Sequence, residues 1–272
     1  MSNQSNDKGR AYEYICLQTL FREISDVRRA EIIENSSFYA ALRAWETIDI
    51  KTRGTLIISA KAAVSTLFDM EPMIAENDDD CVELYIQPDT QGEVGDVRDI
   101  IIVRKDIRWE IGLSIKHNHF AVKHSRLGKS LDFGDRWFGV PCSQTYWDSV
   151  MPVFTFLAEE KKKGTKFSDL DDKENNVYVP ILQAFIDEIN SQYITHKDIP
   201  TKMVEYLLSK FDFYKVISVD RHCLTQIQSF NTHGTLNKAS RSQQPSIHVP
   251  LVTLPTRIVR LDFVPDKKNT VE

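Results

Sequence analysis

The chain has 272 residues, 42% hydrophobic and 27% charged, with a net charge of −5 and a pI near 5.8. That is a folded, globular composition, one core with decorated loops or a core plus a small subdomain, and it excludes disordered and fibrous classes. No apolar run approaches the roughly 18 residues of a membrane span, the polar opening Met1 to Arg10 lacks an export signal's apolar core, and the scattered cysteines Cys16, Cys81, Cys142 and Cys223 form no CxxC pair, which together predict a cytoplasmic protein with reduced thiols and no zinc knuckle.

Lys8 to Phe21 reads as an amphipathic helix, with Tyr12, Ile15, Cys16, Thr19 and Leu20 at helical spacing. Arg29 to Trp45 is expected to be a second helix with an irregular patch at Asn35-Ser36-Ser37, and Thr55 to Met70 a third, closed by Pro72. Asp78 to Asp80 should be a loop. The period then changes. Val82 to Ile86 is short and extended, Asp99 to Arg104 is a β-branched run, and Trp109 to Ile115 alternates apolar Trp109, Ile111, Leu113 and Ile115 with Glu110, Gly112 and Ser114. The last two runs, joined by a tight connection, predict a hairpin at the centre of a sheet. Asp132 to Val150 has no period and reads as an irregular connection whose aromatics Trp137, Phe138, Tyr146 and Trp147 pack on the core. Helices are expected after Pro152 to Lys162, over Tyr178 to Tyr193 and over Ile199 to Ser209. Strands are expected over Phe213 to Val219 and within Leu251 to Val264, with a polar stretch between them and a loose tail from Pro265.

The acidic total hides a patterned charge. Val64 to Asp96 holds ten carboxylates. Lys116 to Lys129 carries four Lys/Arg, three His and no Asp or Glu, and Arg221 to Leu261 carries five Lys/Arg, three His and again no carboxylate. Two carboxylate-free stretches can put a local positive field on an otherwise acidic protein, the footprint of a nucleic-acid partner.

The chemistry-bearing feature is the hairpin. A tight antiparallel pair brings the start of its first strand, Asp99, beside the end of its second, Lys116. Glu110, Ser114 and Lys116 share a face, but Glu110 and Lys116 are about 20 Å apart on a straight strand, too far to meet at one small ion. A carboxylate that can hold Mg²⁺, a lysine that can orient a water, and a basic segment directly after it are the parts that phosphodiester hydrolysis needs. Lys116-His117-Asn118-His119 also spells the letters of another nuclease class, but that class spreads its histidines and asparagine across a hairpin and a helix.

Gly95-Asp96-Val97-Arg98-Asp99-Ile100-Ile101, Ser114-Ile115-Lys116-His117-Asn118 and Ala121-Val122-Lys123-His124-Ser125-Arg126-Leu127 resemble type II restriction endonucleases of the PD-(D/E)xK superfamily, closest to the subgroup that cuts GGCC. Gly9-Arg10-Ala11-Tyr12-Glu13 is similar to that superfamily's first-helix motif, where the glutamate lies near the metal. The resemblance implies an α/β fold, a central mixed β-sheet flanked by helices, as a single endonuclease domain over residues 1–272. It implies Mg²⁺-dependent hydrolysis of double-stranded DNA leaving a 5′-phosphate and a 3′-hydroxyl, with Asp99 as the metal-binding aspartate and Lys116 as the motif lysine. Two residues before that lysine the pattern asks for Asp or Glu, and this chain has Ser114. Glu13 and Glu110 are the candidate substitutes as metal ligands, strand spacing favouring Glu13, and Asp96 is the alternative to Asp99.

His117, Asn118, Lys123, His124, Arg126 and Lys129 are expected to contact DNA near the cut. Residues 221–261 are the expected recognition region, with Gln226, Gln228, Asn231, Asn237, Lys238 and Arg241 offering the donors and acceptors that read base edges. A palindromic target favours a homodimer, and the family implies a companion DNA methyltransferase and no membrane. The other readings are a non-catalytic DNA-binding or regulatory module with a decayed site, which Ser114 would explain, and a repair-type nuclease of the same superfamily.

Overall fold

The structure is a computed structural model that describes residues 2–76, 79–88, 90–91, 95–121, 126–237, 247–248, 251–253, 259–261 and 264–265. They fall into two compact units, Met1–Lys123 with Leu208–Ser246, and His124–Leu207 with Ile247–Glu272.

The first unit holds helices α1 (Ser2–Ser25), α2 (Ser36–Thr47) and α3 (Ile50–Met70) and a six-stranded mixed sheet. Its strands are β1 (Ala30–Ile32), β2 (Val82–Ile86), β3 (Ile100–Arg104), β4 (Trp109–His117), β5 (Phe213–Val219) and β6 (Leu224–Phe230), in spatial order β1-β2-β3-β4-β5-β6. The pairs β1–β2 and β4–β5 are parallel, and β2–β3, β3–β4 and β5–β6 are antiparallel. The mixed sheet and the central hairpin are as expected.

Alternation decides what each sheet face does. Ile100, Ile102, Trp109, Ile111, Leu113, Ile115, Tyr214 and Val216 are buried on one face, in a cluster with Tyr12, Leu17 and Leu20 of α1 and Leu56, Ala60 and Leu67 of α3. Asp99, Gly112, Ser114, Lys116 and Lys215 belong to the opposite face.

Three stretches differ from expectation. Arg29 to Trp45 is not one helix, because Ala30–Ile32 pairs with Val82–Leu84 and the helix starts only at Ser36, where the Asn35 side chain caps it by accepting from the Phe38 N–H at 2.9 Å. Asp132 to Val150 is not irregular. Asp132 caps a short helix, α4 (Phe133–Phe138), which ends at Gly139 with φ +75°, and Ser143 caps α5 (Gln144–Lys162), which continues through Pro152. The polar stretch after Val219 opens with β6, whose ladder to fully buried β5 overrides its weak apolar pattern. Asp79 and Asp80 lie in a bend as expected, and Asp80 is buried there, accepting from Arg104 Nε and Nη2 at 2.9 Å each and from Arg28.

The second unit contains α4, α5, α6 (Val179–Tyr193) and α7 (Ile199–Leu207), followed by the short strands β7 (Ile247–His248), β8 (Leu251–Thr253), β9 (Val259–Leu261) and β10 (Val264–Pro265). β7 pairs with β10 and β8 with β9. Its core is aromatic. Phe133, Trp137, Phe138 and Tyr146 are buried together with Ile189 and Met203, and Trp147 packs against them, so these rings are core as expected. Among the described residues no helix is long and apolar enough to cross a membrane.

Gly112 lets the hairpin face carry a buried arginine. A Cβ there would stand 2.0 Å from Arg98 Cδ, and Arg98 is pinned by Asp96 at 2.7 and 2.8 Å, by Glu110 at 2.5 Å and by the Phe211 ring 4.0 Å below it. Gly112→Ala must displace the whole guanidinium arm, and urea unfolding should show a loss of about 3 kcal/mol. A loss below about 0.5 kcal/mol, the scale of a neutral surface change, would mean that Arg98 moves freely.

Candidate active site

Asp99 lies one residue before β3 and opposite Ser114, since Ile100 pairs with Leu113 and the Asp99 N–H donates to the Leu113 carbonyl at 2.7 Å. Its Oδ2 accepts from the Ile115 N–H at 2.6 Å, from Lys116 Nζ at 2.9 Å and from Ser114 Oγ at 3.4 Å. The Asp99 and Lys116 side chains are 24% and 23% exposed, so the pair is held by the sheet yet open to a ligand. Asp99, Ser114 and Lys116 are therefore brought together.

Parallel pairing extends the arrangement. Ser114 is opposite Lys215 and Lys215 is opposite Gln228, so Asp99, Ser114, Lys215 and Gln228 form one row across four strands. The next row holds Lys116, Ile217 and Gln226. Lys215 is fully buried and donates to the Phe120 carbonyl. Burial first, and then the Lys116 charge, hold its pKa below the ordinary lysine value.

Glu110 does not join this group. It sits four residues before Ser114, and its carboxylate accepts from Arg98 at 2.5 Å. Glu13, from α1, lines a cavity of about 200 Å³ with Arg10, Ser36, Ser37, Ala40 and Ile86. Ile86 pairs with Ile100 and faces the core under α1, and the Gln87 N–H donates to the Asp99 carbonyl at 2.8 Å, so the cavity lies by the end of β2 that adjoins the start of β3, on the face opposite Ser114 and Lys116. Asp96, the alternative to Asp99, is buried and bound to Arg98.

His117 and Asn118 are both joined to Asp220, His117 half-buried and Asn118 exposed. His117 Nε2 lies 2.8 Å from Asp220 Oδ2, Asn118 Nδ2 donates to the same oxygen at 3.1 Å, and the Asp220 N–H donates to Asn118 Oδ1 at 2.9 Å. This clasp closes the parallel β4–β5 pair just beyond Lys116. Asp220 had no signal in the sequence, whereas Lys215 had one: a single lysine within an otherwise apolar or small strand.

Gln226 and Gln228 are half-buried on the active face. Asn231 Oδ1 is taken by the Leu236 N–H at 3.1 Å, and the Asn237 N–H donates to the buried Glu71 carboxylate, which burial pushes above the usual carboxylate range. Both asparagines thus shape the turn that follows β6. Arg126 and Lys129 are exposed in the second unit, beside the turn closed by the Gly128–Leu131 bridge. Lys123, His124, Lys238 and Arg241 lie outside the described residues.

Among the described residues no three His, Cys, Asp or Glu side chains gather as a metal cluster. The donor set instead suits an ion that takes few protein ligands. Asp99 commits Oδ2 to its neighbours while no such bond to Oδ1 occurs among the described residues, and Mg²⁺ characteristically binds one or two carboxylates plus phosphate and water.

The model of the HaeIII restriction endonuclease family matches residues 9–272. A type II restriction enzyme from Haemophilus aegyptius, HaeIII, is 48% identical over 273 residues, covering 100% of this chain and 86% of that enzyme. No solved structure matches. A match over nearly the whole length, on a chain whose hairpin assembles Asp99, Ser114 and Lys116, settles the family: the chain belongs to the HaeIII restriction endonucleases.

Proposed function

We propose that this protein is a type II restriction endonuclease that hydrolyses double-stranded DNA at GGCC, using Mg²⁺ and leaving a 5′-phosphate and a 3′-hydroxyl. The observation that carries the proposal is the 2.9 Å contact between Lys116 Nζ and Asp99 Oδ2 at an accessible end of the two central strands, in a chain of this family. Asp99 would hold the metal through its carboxylate, and Glu13 of α1 is the candidate for the second carboxylate in place of the one missing at Ser114. When bound, the ion draws charge from the scissile phosphate and acidifies a water. Lys116, oriented by Asp99, holds the attacking water and steadies the negative charge that grows on phosphorus-bound oxygen. Ser114, fully buried and neutral, donates toward Asp99 and so fixes the carboxylate rather than ligating. The His117–Asn118–Asp220 clasp keeps the end of β4 in register with β5.

Gln226 and Gln228 project from the active face toward the duplex. Residues 221–261, with Lys238 and Arg241, complete base reading, and Lys123, His124, Arg126 and Lys129 hold the backbone. A homodimer matching a palindrome, a companion DNA methyltransferase and a cytoplasmic setting complete the reading.

Digestion of unmodified DNA of known sequence with Mg²⁺ tests it. Discrete fragments whose ends map to GGCC are expected. Binding without cleavage in both Mg²⁺ and Mn²⁺ would favour the non-catalytic module that Ser114 makes conceivable, and random degradation or a junction preference would favour a repair-type nuclease.

A further inference from the structure

Lys215 has no part in the mechanism above, and its position is costly. It is the one charged residue in β5, with no exposed surface. Among the described residues its ammonium has the Phe120 carbonyl as its acceptor and Lys116 as its charged neighbour, with no carboxylate paired to it. A buried cation without a counter-charge costs several kcal/mol, and an apolar side chain of similar length would fill the same space without that cost.

The row supplies a reason for it. Lys215 stands directly opposite Ser114, the position where the superfamily pattern puts a carboxylate. At this place the chain has no negative charge where the pattern puts one, and carries, one strand over, a positive one. Asp99, Glu13 and Lys116 carry a formal charge of −1, and Lys215 brings the sum to 0, so the local field accepts phosphate more readily and opposes the accumulation of divalent cations.

We propose that Lys215 is a positioning residue of the catalytic centre, whose fixed charge beside Ser114 takes the place of a second divalent cation and leaves one metal per chain. The proposal rests on the nuclease reading above. Lys215 acts in two ways. Its bond to the Phe120 carbonyl anchors the chain leaving β4, within the basic segment. Its charge, one strand over from Ser114, adds to the field that steadies the negative charge developing on the pentacoordinate phosphorus, without contact.

The test uses Ca²⁺, a hard cation with the same oxygen-ligand preference, titrated by calorimetry into the full-length protein bound to a GGCC duplex, alongside Mg²⁺ cleavage of the same duplex. Wild type should bind one Ca²⁺ per chain. Lys215→Gln, which keeps an N–H donor but removes the charge, should bind Ca²⁺ tighter by about threefold or more and cleave slower by about tenfold or more. Lys215→Arg should keep the wild-type Ca²⁺ affinity. A purely structural role would weaken or leave unchanged the metal affinity, so tighter binding with slower cleavage is the distinguishing sign. Two Ca²⁺ per wild-type chain, or an unchanged or weaker affinity in folded Lys215→Gln, overturns the proposal, and the wild-type stoichiometry decides it even if the glutamine variant does not fold. Wild-type protein that neither cuts nor holds Ca²⁺ removes the nuclease reading itself, whereas cutting with two ions removes only this inference.

Discussion

Lys116→Met is expected to lower the single-turnover cleavage rate of a GGCC duplex by about a thousandfold or more, with duplex affinity changed by less than about tenfold. The side chain is 23% exposed and bound to Asp99, so methionine preserves the stem and its packing while deleting the ammonium that faces the reacting groups. Asp99→Asn should give a loss of the same order, because an amide can neither anchor Lys116 as an ion pair nor offer an anionic ligand to a metal. The two losses should not add. Asp99 orients Lys116, so the double variant is expected to be little worse than either alone. Filter binding in Ca²⁺ separates chemistry from affinity. Near-wild-type turnover by purified Lys116→Met would remove that residue from the catalytic set.

The second large effect concerns stability. Asp212 has no exposed surface and accepts from the His233 N–H at 2.9 Å, the Thr235 N–H at 2.8 Å, Thr235 Oγ1 at 2.7 Å and Thr232 Oγ1 at 3.2 Å. One carboxylate thus holds the turn from Asn231 to Asn237 that follows β6. Asp212→Ala orphans these donors and should cost about 4 kcal/mol in urea unfolding. Burial alone would raise this carboxyl's pKa, but the His233 and Thr235 hydrogen bonds outweigh it and lower the value from 3.8 to about 2. The folded value is below the unfolded one, so the associated stability is complete above pH 3.8 and is lost as pH falls toward about 2. It amounts to about 2 kcal/mol. Asp212→Asn should flatten the stability profile across that window, and an unchanged slope would show that the carboxylate does not titrate there.

The hairpin was legible because its signal is local: β-branched residues, a strict period of two, and a connection short enough to fix which residues face each other. Asp99 beside Lys116 follows from that register alone. Strands β2 and β5 were legible for the same reason. What escaped depends on pairing across long stretches of chain. β1 is a three-residue strand whose partner lies some fifty residues away, and β6 shows its nature only against β5. α4 is too short to display helical periodicity, and its identity lies in the Asp132 cap and Gly139. The candidate site divides in the same way. Composition marks His117 and Asn118 as DNA contacts because they sit in a basic stretch, and their bonds to Asp220, over a hundred residues on, are invisible there. Glu110 satisfied the face rule and was lost to Arg98, a neighbour that only Gly112 admits. Lys215 could be seen as odd within its strand, yet its meaning depends on standing opposite Ser114, which only the parallel β4–β5 register reveals.

The claim that Asp99 and Lys116 form the catalytic centre is most directly tested by anomalous scattering from Mn²⁺ in crystals of the protein with an uncleaved GGCC duplex. The account predicts a Mn²⁺ peak at coordinating distance from the Asp99 carboxylate, with the scissile phosphate beside it and Lys116 Nζ within hydrogen-bond reach of the attacking water. Mn²⁺ bound elsewhere, with the scissile phosphate remote from Lys116, would contradict it.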